Sequence, residues 1–108
     1  MEREHRFVPV ATMEQLRRER IVVEVEGHEI LVLLAGEAIF AVGNVCSHEQ
    51  VWLDDGDLHV ETCELQCPMH EGRFDLRTGA ATCLPAEEPI PTYPVRVEGD
   101  EVLVGIPT

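Results

Sequence analysis

Two short motifs in this 108-residue chain carry residue types that could do chemistry: Cys46-Ser47-His48 and Cys67-Pro68-Met69-His70. Eighteen residues separate His48 from Cys67. Each motif offers one thiolate and one imidazole. A Cys-x-His step lets two ligands on one loop point at adjacent sites. Cys-x-x-His does the same across a tight turn, which Pro68 stiffens. Two such loops can grip a two-iron cluster from opposite sides, with both Cys on one iron and both His on the other. Neutral imidazoles then replace two anionic thiolates, so the centre is less negative and easier to reduce than an all-Cys one.

Three other chemistries compete for the same residues. A tetrahedral zinc site could use these four ligands, although zinc patterns usually group Cys with Cys and His with His. The histidines could be ordinary core residues, which suits a lone His better than two, each beside a Cys in a Gly/Pro-rich loop. A Cys/His nucleophile pair would explain one motif and leave the other idle. Cys63 and Cys83 lie outside both motifs and read as buried or partly buried thiols. A four-Cys site from 46, 63, 67 and 83 has awkward spacing. His5, His28 and His59 stand in surface-like contexts. Trp52 and Leu53 follow the first motif and either pack over the bound group, limiting water access, or belong to the core.

The elements that must hold these loops read as strands. Residues 6–10 can start one. Thr12 with Gln15 three residues on forms a capping-box pattern over a short helical turn. Residues 20–25 and 28–34 flank Glu26-Gly27, a tight hairpin signal. Residues 35–37 form a second turn and 38–42 a third strand. Residues 93–98 and 101–105 flank Gly99-Asp100, another hairpin. Short strands with frequent turns predict an all-β antiparallel sandwich or small barrel. Residues 43–91 lack this alternation and are rich in Cys, His, Gly, Pro and acids. Such a stretch predicts loops and short strands organised around something bound.

Bulk properties narrow the function. The length suits a single domain. The longest apolar runs are far short of the ~20 residues that span a bilayer. The N-terminus leads into no apolar signal segment. We therefore expect a cytoplasmic protein, in which four cysteines favour metal or redox chemistry over disulfides. The net charge is −13, with no lysine. Residues 1–20 hold five Arg and four Glu, whereas 21–108 hold three Arg against seventeen acids. That excludes a basic nucleic-acid-binding face and favours a basic protein partner.

At these residues the chain resembles the Rieske-type ferredoxins that serve bacterial aromatic-ring-hydroxylating dioxygenases. The likeness covers nearly the whole chain. It is sharpest over Cys46-Ser47-His48, over Leu53, Gly56 and Leu58, and over residues 67–79. It continues through Pro85, Pro89-Ile90, residues 93–97 and the turn at 100–102. The resemblance implies one Rieske domain over 1–108: an antiparallel β-sandwich base with a small cluster-binding subdomain over about 43–91. It implies a 2Fe–2S cluster on Cys46, His48, Cys67 and His70. It also implies a third, proline-containing loop over the cluster, matched by Leu84-Pro85-Ala86. High-potential relatives carry an extra disulfide-bonded Cys in each ligand loop, where this chain has Val51 and Met69. They place a hydroxyl donor where this chain has Glu71-Gly72. The expected potential is therefore near the low end of the mixed-ligand range, roughly −150 mV.

The resemblance implies a soluble, monomeric one-electron carrier rather than an enzyme. Its partners would be a flavin-dependent NAD(P)H reductase and a terminal oxygenase of aromatic degradation. His48 and His70 would face solvent as the electron exit and entry point, with a potential that responds to alkaline pH. Glu49, Asp54, Asp55, Glu71, Glu87 and Glu88 lie in or beside the three loops and would steer a basic partner. The rival readings are a cluster-free accessory subunit of the nitrite-reductase small-subunit kind and a zinc-stabilised binding module.

Overall fold

Residues 30–33 are apolar without interruption, so a strand there must be covered on both faces. A computed structural model describing residues 5–46, 51–69, 71–84 and 86–107 shows how this is done. The elements are β1 (His5–Thr12), α1 (Met13–Arg18), β2 (Ile21–Val25), β3 (His28–Ala35), β4 (Ala38–Gly43), β5 (Asp57–His59), β6 (Glu64–Gln66), β7 (Arg73–Asp75), β8 (Ala81–Cys83), β9 (Thr92–Tyr93), β10 (Val95–Glu98) and β11 (Glu101–Pro107). They form three antiparallel sheets ordered β1-β11-β10, β2-β3-β4-β9 and β5-β6-β7-β8.

Strand β3 divides the molecule. Ile30 and Val32 join Ala41, Val102, Val104, Ile106 and Leu16 in one buried cluster. Leu31, Leu33 and Ala35 point the other way and join Val42, Leu53, Leu65, Phe74, Leu76, Ala86 and Ile90 in a second. The two-residue period of a strand thus feeds alternate side chains to two cores. The first core lies between the two large sheets and forms the base. The second lies between the central sheet and the β5–β8 sheet. Both Cys46 and Cys67 belong to it.

Local signals hold where they are strongest. Thr12 caps α1 with both arms of the box: Gln15 N–H donates to Thr12 Oγ1 at 3.2 Å, and Thr12 N–H donates to Gln15 Oε1 at 2.9 Å. A six-residue helix has little stability of its own, and burial of Leu16 pins it to the base. Glu26 and Gly27 both adopt positive φ, 50° and 84°, as the two central residues of a type I′ turn require. The first and last strands pair, with His5 opposite Pro107 and Thr12 opposite Glu101. The strands expected within 43–91 exist, but each is only three residues long.

Candidate metal centre

Both cysteines of the motifs sit at the neck of a hairpin. Val45 bridges Trp52, and Cys46 N–H donates to Val51 O at 2.9 Å. In the second motif β6 pairs with β7 through Gln66 opposite Arg73, and Cys67 N–H donates to Gly72 O at 2.8 Å. Each Cys thus occupies a rung at the base of its motif, and each is buried. A third turn follows β8, where Ala86 N–H donates to Cys83 O at 3.2 Å and the Ala86 side chain enters the same core. His48, His70 and Pro85, together with Glu49, lie outside the described residues.

Alternation at the first neck also decides the fate of Trp52. Cys46 and Val51 face the core, so their neighbours Val45 and Trp52 face outward. Leu53 is fully buried, whereas Trp52 is 62% exposed. The expectation that Trp52 packs in the core is therefore corrected, whereas Leu53 is a core residue. Met69 in the second loop and Leu84 in the third are also exposed, at 70% and 69%. Each of the three loops thus presents a large apolar side chain to solvent. Asp55, Glu71, Glu87 and Glu88 are exposed on the same segments.

Asn44 was not singled out from the sequence, yet it is the one buried polar side chain among the described residues, at 1% exposure. Its amide nitrogen donates to Glu29 Oε2 at 2.8 Å and to Asp54 Oδ1 at 3.1 Å. Its backbone N–H donates to Glu29 O at 3.1 Å, and its carbonyl accepts from Leu53 N–H at 2.7 Å. Only the NH₂ end can face two carboxylates, since a carbonyl turned their way would be repelled. Oδ1 is left without a partner among the described residues, which typically costs about 1–3 kcal/mol. Arg20 completes the knot by donating to Asp54 O at 3.1 Å and Gly56 O at 2.7 Å. A Cβ at Gly56 would stand 2.2 Å from Gln66 O, so only glycine lets the first loop cross β6 this closely.

The remaining thiols and histidines do other work. All four cysteines are described, and among the described residues no three Cys, His, Asp or Glu side chains converge. The four-Cys site is therefore absent. Cys63 is partly buried, and that burial raises its thiol pKa. Cys83 is exposed, against the expectation of a buried or partly buried thiol. His28 and His59 are not surface-like: both are half-buried, with His28 Nδ1 3.0 Å from Tyr93 Oη and His59 Nε2 2.8 Å from Gln66 Oε1. Burial raises the Tyr93 phenol pKa. At the far end of the β6–β7 hairpin, a hydrogen bond from Arg77 lowers the Asp75 pKa. Hydrogen bonds from Thr82 and Thr62 do the same for Glu64.

The donor set fits a mixed-ligand cluster. Two buried thiols on separate hairpins share one core, and the sequence supplies one histidine just past each. Residues 6–94 match the Rieske [2Fe-2S] domain family. The chain belongs to that family. A Rieske domain carries a 2Fe–2S centre. The ferredoxin component of the naphthalene 1,2-dioxygenase system of Pseudomonas aeruginosa is 42% identical over 84 residues, covering 78% of this chain and 79% of the relative. The ferredoxin of carbazole 1,9a-dioxygenase from Nocardioides aromaticivorans IC177 superposes with a TM-score of 0.85 at 44% identity, covering 91% of this Rieske domain and 95% of its own chain. A complex of reduced oxygenase and oxidized ferredoxin in carbazole 1,9a-dioxygenase gives a TM-score of 0.82 at 25% identity, with 92% of each chain covered.

Proposed function

We propose that Cys46 and Cys67 bind one iron of the cluster and that His48 and His70 bind the other. The chain is a Rieske electron carrier that passes electrons to an oxygenase, and it is the electron-transfer component rather than the catalyst. The donor is a flavin-dependent NAD(P)H reductase, and the acceptor is a terminal ring-hydroxylating oxygenase of aromatic degradation. Residues 1–108 act as one Rieske domain with its cluster-binding part over about 43–91. The carrier is monomeric and works in the cytoplasm, where a reducing environment keeps cysteines as thiols. The observation that carries the ligand assignment is the matched pair of hairpin necks, each ending in a buried Cys of one shared core.

Docking follows from the three loops. Trp52, Met69 and Leu84 supply apolar contact, and the exposed acids beside them supply long-range attraction. Aromatic anchors carry much of the energy of protein interfaces, while rim charges act on the association rate and its salt dependence. A partner with basic residues around an apolar recess fits this surface.

The direct test is iron and acid-labile sulfide analysis of the purified protein, which should be red-brown with about two of each per chain. Cys63→Ser and Cys83→Ser should keep both irons. A colourless, iron-free wild type would instead support a cluster-free accessory subunit. A redox titration should give a potential near the low end of the mixed-ligand range, roughly −150 mV.

A further inference from the structure

We infer that Asn44 is a positioning residue for the first cluster loop and that it holds a negative charge beside that loop; this rests on the cluster assignment above. Three observations converge. The Asn44 backbone ties the end of β4 to Glu29 on one side and to Leu53, beyond the loop, on the other. Its side-chain amide binds carboxylates from the same two places, Glu29 and Asp54. The loop between these anchors contains Cys46, two residues from Asn44. Two residues span at most about 7 Å of backbone, so the amide that gathers both carboxylates is anchored no farther than that from the Cys46 backbone.

The arrangement does two separable things. It fixes where the Cys46 hairpin stands relative to the central sheet. It also keeps two carboxylates together beside a redox centre, which a single neutral side chain makes feasible by donating to both. Charge near a cluster and the rigidity of its ligands both tune its potential. Arg20 braces the far anchor through the backbone at 54 and 56.

Four cluster-loaded proteins separate these roles: wild type, Asn44→Ser, Asn44→Asp and Glu29→Gln. Each is followed by redox titration, by the electron paramagnetic resonance spectrum of its reduced form, and by the rate of iron loss to a chelator. Glu29→Gln keeps an acceptor for the amide while removing a charge, so its potential should rise with little change in iron loss. Asn44→Ser removes the reach of the amide and should release iron about 10-fold faster, with broadened resonance lines. Asn44→Asp replaces the shared donor with a third carboxylate and should be worse than Asn44→Ser. Thermal melts of all four record any purely structural effect. Potential, line shape and iron-loss rate equal to wild type in every variant, with only the melting temperature lowered, would overturn the inference alone. A wild-type chain that binds no cluster overturns the carrier assignment and this inference with it.

Discussion

The two cores on either side of β3 are built to different rules. The base core is closed by long strands: β1 and β11 pair from His5 to Thr12, and β2, β3 and β4 form a regular meander. The cluster-side core gathers most of its side chains from three-residue strands and turns. In the base, backbone pairing and apolar burial reinforce each other over many rungs. On the cluster side the ladders are too short to do so, and the region depends on a few side chains, close backbone crossings and the bound iron. A small region with little ladder of its own commonly draws stability from metal binding.

Removing a thiolate tests this contrast most severely. Cys46→Ser or Cys67→Ser should abolish the visible absorption and the bound iron. Far-ultraviolet circular dichroism should still report the base strands. If either variant lost its strand signal entirely, the base would not be independent of the cluster.

Core truncation is the next largest effect. Phe74 is fully buried on the cluster side and Ile30 is fully buried in the base. Phe74→Ala and Ile30→Ala should each cost roughly 2–5 kcal/mol in denaturant unfolding. Only Phe74→Ala should also speed iron loss. Equal iron-loss rates in the two variants would mean that the cores are not separable.

Acid should loosen the cluster side first. Asp75 and Glu64 have lowered pKa values, through hydrogen bonds from Arg77 and from Thr82 and Thr62 respectively. A carboxylate held below its ordinary range stabilises the fold while ionised. That contribution is complete above about pH 5 and is lost as pH falls through about 4 and lower. Melting temperatures measured between these limits should therefore fall with acidification, and fall less in Asp75→Asn. Because the Arg77 side chain is largely exposed, solvent screening keeps the contribution of the pair small.

The smallest effect belongs to the base surface. Arg18 and Glu14 form an exposed i,i+4 pair at 2.6 Å. Glu14→Ala should change stability by no more than about 0.5 kcal/mol and leave the cluster spectrum untouched.

Sequence legibility follows the same division. Hairpins at Glu26-Gly27 and Gly99-Asp100, the Thr12 cap and the apolar β3 run were readable because each rests on a local rule. The cluster type was readable because the residue types and spacing of the two Cys/His motifs are chemically specific. Trp52 was misread because its outward direction depends on the register of a single bridge with Val45, which no local pattern announces. Asn44 went unseen for a related reason. Its partners are 15 and 10 residues away, and an Asn after a strand usually signals only a turn. Its one visible mark was its place two residues before the first Cys. Cys83 lies outward at the end of a three-residue strand, where alternation is too brief to predict a face.

The pairing of β1 with β11 has a consequence for synthesis. A ribosome releases the chain from its N-terminus, so β1 waits unpaired until residues 101–107 emerge. Both motif cysteines leave the exit tunnel well before that moment. The nascent chain therefore presents the two motif thiols on an unfinished scaffold, and cluster delivery must either wait for β11 or find a partly built host.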